Sequence, residues 1–274
     1  MLTNLTTNRR LWLTTSAIAL VAAALGLLRP TIYDPVVPDR ILPGVVAQDA
    51  LTVVLALFAL ALAWRVREGQ TKKQALLLGL MGYLFYAFGI YAIEQVYTVA
   101  YFAYLAVFGL SAYAIVYALV SVRRETLAGA SLPRSIRLVS LVGLVGTPAV
   151  FVPLWASQIV PLIRTGERLE YLFSIYVLDL CFVMPAFLVV ALLTYRRDEL
   201  GYALTPATFI IGFAVLAPLA LAELLRPTLV GQPMDTASFG LFLVLSVLYL
   251  LLGAWTLRAL EGSSGPARAV APPP

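Results

Sequence analysis

Long apolar runs separated by short polar breaks make up nearly the whole chain. A membrane-crossing helix needs about 20 mostly apolar residues. Runs of that kind cover roughly 11–28, 49–66, 75–94, 96–121, 137–160, 171–195, 205–225 and 236–258. The third and fourth are parted only by the stretch IEQVYT, but together they are too long for one span. The pattern predicts an all-α fold: a polytopic integral membrane helical bundle of about eight transmembrane helices. Residues 1–260 form one transmembrane domain. The tail 261–274, EGSSGPARAVAPPP, is small, polar and proline-rich, and is expected to be disordered in the cytoplasm.

Composition supports the same solvent. The chain is 61% hydrophobic and 12% charged, about half the charge density of a typical soluble domain at roughly 25%. Basic residues set the orientation. With the N-terminus inside, the outer segments hold five of the nineteen, Arg29, Arg40, Arg164, Arg168 and Arg226, which leaves fourteen inside. Both termini are therefore expected in the cytoplasm, with the protein in the cell membrane. One competing expectation is a signal peptide: NRR followed by an apolar run ending in VAAALG has the required order of regions, although the run is long for it.

Several chemistries are excluded by residue type. There is no histidine and only one cysteine, Cys181. This removes the commonest haem and zinc ligand, a histidine general base and an internal disulfide framework. The only lysines, Lys72 and Lys73, fall in an inner loop, so no span offers a retinal Schiff base. Phosphate-binding, HExxH and GxSxG motifs are missing, and Ser140 and Ser174 have no histidine to activate them. No metal, cofactor or nucleic acid is expected. The expected partners are the bilayer, a small-molecule or ion ligand, and other membrane proteins or further copies of the chain.

What remains is a set of acidic and phenolic side chains expected toward the outer half, where the second, third, sixth and seventh spans are expected to gather round one deep aspartate. Asp179 in YVLDLCFVMP lies deep in the sixth span with no basic residue within helical reach, and intramembrane ionisable groups are functional candidates. Asp49, preceded by Gln48, opens the second span, where an N-cap is wanted. Glu94 closes the third, where it can be simply solvated. Glu223 can pair with Arg226 three residues on. A tyrosine-rich hairpin adds Tyr83, Tyr86, Tyr101 and Tyr104, whose phenols either line a ligand pocket or bond between helices. The first outer loop carries four prolines, Pro30, Pro35, Pro38 and Pro43, and either folds over the bundle mouth or is a plain connection. Gly143, Gly146, Pro148, Pro153, Pro185 and Pro218 interrupt the later spans.

The stretches AQDALTVVLALFALAL, GYLFYAFGIYAIEQVYTVAYFAYLAVFGLSAYAI and YVLDLCFVMPAFLVVALLTYRRDELGYAL resemble a group of uncharacterised multi-pass membrane proteins of bacteria and some archaea. The likeness covers about a third of the chain, in the Gln48–Asp49 pair, the tyrosine-rich hairpin and the Asp179–Leu180, Pro185, Gly201–Tyr202 spacing. It implies where a site lies and no activity. The residues themselves point first to a polar, tyrosine-lined, outward-facing site that binds or transports a small molecule or ion. A non-catalytic subunit or assembly factor of a membrane complex is the second reading. An intramembrane enzyme acting on a lipid or isoprenoid is the third, and catalysis is the less favoured outcome.

Overall fold

In the computed structural model, residues 1–260 are described, and the tail expected to be disordered lies outside them. The described residues contain no strand and eight helices long and apolar enough to cross a membrane. They are α1 (Leu5–Leu28), α2 (Leu42–Arg65), α3 (Thr71–Ile93), α4 (Tyr101–Val120), α5 (Arg134–Thr165), α6 (Phe173–Tyr195), α7 (Glu199–Val230) and α8 (Thr236–Ala259). Helix is the form in which such apolar segments satisfy their own backbone groups. Side chains finish the job at two ends. Asp198 accepts from Leu200 N–H at 2.8 Å, and Asp235 accepts from Ala237 N–H at 3.0 Å and from the Ser238 hydroxyl at 2.6 Å.

The main departure from expectation is the start of α2. It begins seven residues before the predicted 49, inside the proline-rich loop. Pro43 sits in the first turn, where a missing N–H costs nothing and the fixed φ suits a helix. Asp49 is therefore two turns inside α2 and is not an N-cap. Helices α5 and α7 also run longer than predicted, 32 residues each, carrying Pro148, Pro153 and Pro161, and Pro206, Pro218 and Pro227, within them.

Helix α3 is the axis of the bundle: 78% of its central window is buried, against 22% for α5 and for α8. It packs on α4, α2 and α7, and α7 in turn packs on α8 and α6. The α3–α7 crossing is close because Gly79 has no side chain. A Cβ there would come within 2.8 Å of the Ala207 carbonyl oxygen, a small-residue contact of the kind that holds membrane helices together. Helix α5 leans mainly on α6. The lipid-facing surface carries residues such as Phe102 (85% exposed) and Val142 (73%).

Loops gather at two ends. At one, Leu2 bridges to Val122, and Arg124 pairs with Asp198 at 3.0 Å. At the other, Pro30–Ile32 forms a short 3-10 turn and delivers Tyr33, fully buried, into the bundle. The first loop thus folds inward over its end of the bundle. Helix α1 lies along α2 and α4 as part of the same bundle.

Candidate functional site

Helix α6 changes its winding at Asp179. Residues Asp179–Val183 form a π-helical turn in which Met184 N–H donates to the Asp179 carbonyl. Pro185 explains the change, because it has no N–H for the carbonyl four residues back and the register must adjust ahead of it. Such turns recur at functional sites. Asp179 lies six residues into α6, about 9 Å along the axis at 1.5 Å per residue, and is 6% exposed. Its Oδ2 accepts from Trp155 Nε1 of α5 at 2.8 Å. The Tyr86 hydroxyl of α3 faces the same carboxyl group.

That carboxyl group forms part of the wall of a cavity of about 180 Å³. The remaining wall comes from the rest of α6 and from α2, α3, α5, α7 and α8, and is mostly apolar. Its other polar side chains are largely spoken for. Gln48 Nε2 donates to the Ala87 carbonyl at 3.0 Å, Tyr83 and Thr52 share a hydrogen bond of 2.7 Å, and Thr147 bonds to Tyr249. Pro218, also in the wall, leaves the Ala214 carbonyl without its usual donor. The groups left for a visitor include the second Asp179 oxygen, the Tyr86 hydroxyl and the Ala214 carbonyl. No basic side chain pairs with Asp179: the ion pairs among the described residues are Arg124–Asp198 and Arg226–Glu223.

Asp49 is placed quite differently. Its Oδ2 accepts from Tyr33 at 2.6 Å and its Oδ1 from Tyr91 at 2.9 Å. Tyr33 and Tyr104 hydroxyls lie 3.3 Å apart, and Thr98 donates to Tyr104 at 3.1 Å. The rings close the site, with Tyr91 and Tyr104 centroids 4.8 Å apart. Gly26 of α1 covers the remaining side, where a methyl group would overlap both the Asp49 carboxyl and the Tyr33 hydroxyl. Burial first, and the neighbouring Asp49 second, push the Tyr33 hydroxyl pKa well above its ordinary value, so it stays protonated and donating.

The predicted site residues therefore divide. Asp179, Tyr86, Tyr83 and Gln48 share the cavity. Asp49 and Tyr104 belong to the sealed cluster. Glu94 is not merely solvated: it accepts from Leu172 N–H at 2.9 Å and Ser174 N–H at 2.7 Å, joining the end of α3 to the start of α6. Glu223 pairs with Arg226 at 2.9 Å and accepts from Asp235 N–H at 3.0 Å in the α7–α8 turn, away from the cavity wall. Tyr101, at the start of α4, donates to the Ala92 carbonyl at 3.1 Å. The four carboxylates do not converge.

Trp155, Tyr33 and Tyr91 were not singled out as site residues in the sequence. Trp155 had a faint signal, an indole in an apolar helix needing an acceptor. Tyr33 had none, since its partner is fixed only by how the loop folds. Among the described residues no group of three acidic, cysteine or histidine side chains is placed to hold a metal. No family model, curated protein or solved structure matches the chain.

Proposed function

We propose that the protein binds a small molecule or ion, carrying a positive charge or a hydrogen-bond donor, in the cavity beside Asp179. The observation that supports this is a buried aspartate bonded to one indole, faced by the Tyr86 hydroxyl, with no cation beside it and a cavity alongside. An isolated acidic group in an apolar surround is costly unless something compensates it, and a cationic or donating ligand does so directly. Size agrees: an apolar cavity of about 150 Å³ holds a benzene ring, so this one admits a small aromatic amine.

Benzylamine is a suitable probe, with toluene as the control that lacks the donor. Trp155 touches Asp179 and serves as the reporter. Trp64 and Trp255, at 75% and 45% exposure, are replaced by phenylalanine, while Trp12, fully buried, remains as an unresponsive background. A saturable change in Trp155 emission with benzylamine, absent in a folded Asp179→Asn variant, is the expected outcome. An equal response in Asp179→Asn overturns the reading.

A further inference from the structure

A second space of about 290 Å³ lies beside the first, between α4 and α6 with α3 and α7 as its floor. The two share Val183, Phe187 and Ile211 as lining, so the partition between them is one side chain thick. Small residues on three helices create the groove: Gly82, Ala112 and Ala186. A side chain at Gly82 would push Ile211 out of its place in the partition. The groove faces the lipid side, where Phe182 is 48% and Val116 57% exposed.

Its chemistry is that of hydrocarbon. The polar member of its lining, Thr208, donates to the Leu204 carbonyl of its own helix at 3.1 Å, so the groove offers nothing to a head group. Across the partition, the Asp179 side offers an acceptor and little room for a long chain. Ligand sites for molecules of ordinary size run from about 300 Å³ upward. The groove alone is close to that, the cavity is smaller, and the two together exceed it.

We infer that the ligand is a single-chain amphiphile taken from the bilayer, its hydroxyl or ammonium head at Asp179 and its hydrocarbon chain in the groove between α4 and α6. This rests on the binding reading above and assigns its substrate class. The molecule enters sideways through the α4–α6 face, and its head passes the partition by displacing the Ile211 side chain. The head is thereby carried from lipid to the buried carboxyl group without crossing water.

The test uses the full chain in phosphatidylcholine nanodiscs with two photoactivatable probes, hexadecylamine and hexadecanol, each with a mid-chain diazirine. Labelling is expected to concentrate on peptides containing 112–116 and 182–186, and to fall to background in Ala112→Phe/Ala186→Phe. That double variant is expected to keep the benzylamine response of Trp155. Val116→Phe, on the exposed rim, replaces it if it does not fold. Labelling by the amine alone identifies an ammonium head, and labelling by both that is lost in Asp179→Asn identifies any donating head, either of which supports the inference; labelling by both that persists in Asp179→Asn overturns it. Labelling unchanged by filling the groove, or spread evenly over the lipid-facing helices, overturns it while leaving the cavity reading intact. Loss of the distinction between wild type and Asp179→Asn with benzylamine removes the cavity reading itself.

Discussion

Asp49 and Asp179 are both buried aspartates in apolar helices, at 1% and 6% exposure, and neither has a cation beside it. They differ in what surrounds them. Asp49 spends both oxygens on phenols, is roofed by tyrosine rings, and is closed by the bare Cα of Gly26. Asp179 spends one oxygen on Trp155 and looks into open space. Burial alone therefore does not mark a site. A polar group whose partners are all supplied by the fold ties helices together, and one left short of partners beside a cavity is available to a ligand.

The contrast is broken most severely by removing the sealed carboxyl group. Asp49→Leu removes the short hydrogen bonds of Tyr33 and Tyr91 and leaves their hydroxyls only the 3.3 Å contacts with Tyr104 and the Val45 carbonyl; a buried polar group left short of a partner costs about 1–3 kcal/mol, so a loss of about 2 kcal/mol or more is expected in thermal unfolding of the detergent-solubilised protein. Asp179→Asn keeps an acceptor for Trp155 and is expected to cost less than about 1 kcal/mol by the same measure. Equal losses would erase the distinction. Gly26→Ala comes next. Its methyl forces the Asp49 and Tyr33 groups apart, and overpacking of this kind costs about 1–3 kcal/mol.

The smallest effect is one of pH. The Tyr33 hydroxyl pKa is raised in the folded protein, chiefly by burial, and then by Asp49 and Tyr104. An exposed tyrosine titrates near about 10. Above that pH the unfolded chain releases this proton while the folded chain holds it. The contribution is thus complete below about 10 and declines as pH rises beyond it. Tyr33→Phe is expected to flatten the alkaline decline in melting temperature; an unaltered slope would mean that Tyr33 is not buried against Asp49.

The spans were legible because a bilayer demands long apolar runs, and every predicted run overlaps one observed helix. The short break around Gln95 also held, and that residue adopts φ 56°, a left-handed turn that ends α3 cleanly. Asp179 was legible because an acidic residue stands out in such a run, and Pro185 hinted at disturbed winding. Asp49 was misplaced because Pro43 reads equally as a loop residue or a first-turn residue. Only packing decides between them. The gathering of four carboxylates failed for a related reason. Sequence gives depth along a helix but not which face turns inward, so Glu94 and Glu223 shared an end of the bundle with the cavity without sharing its wall. The tie from Tyr33 to Asp49 joins a loop to a helix sixteen residues on, and no local pattern encodes it.

Reaction with an apolar carbodiimide, followed by peptide mass analysis, reads the accessibility of each carboxyl group directly. Modification is expected on the α6 peptide at Asp179, while the α2 peptide carrying Asp49 remains unmodified in the folded protein. Modification of Asp49 to the same extent, or an Asp179 inert until the protein unfolds, would contradict the division between a sealed aspartate and an open one.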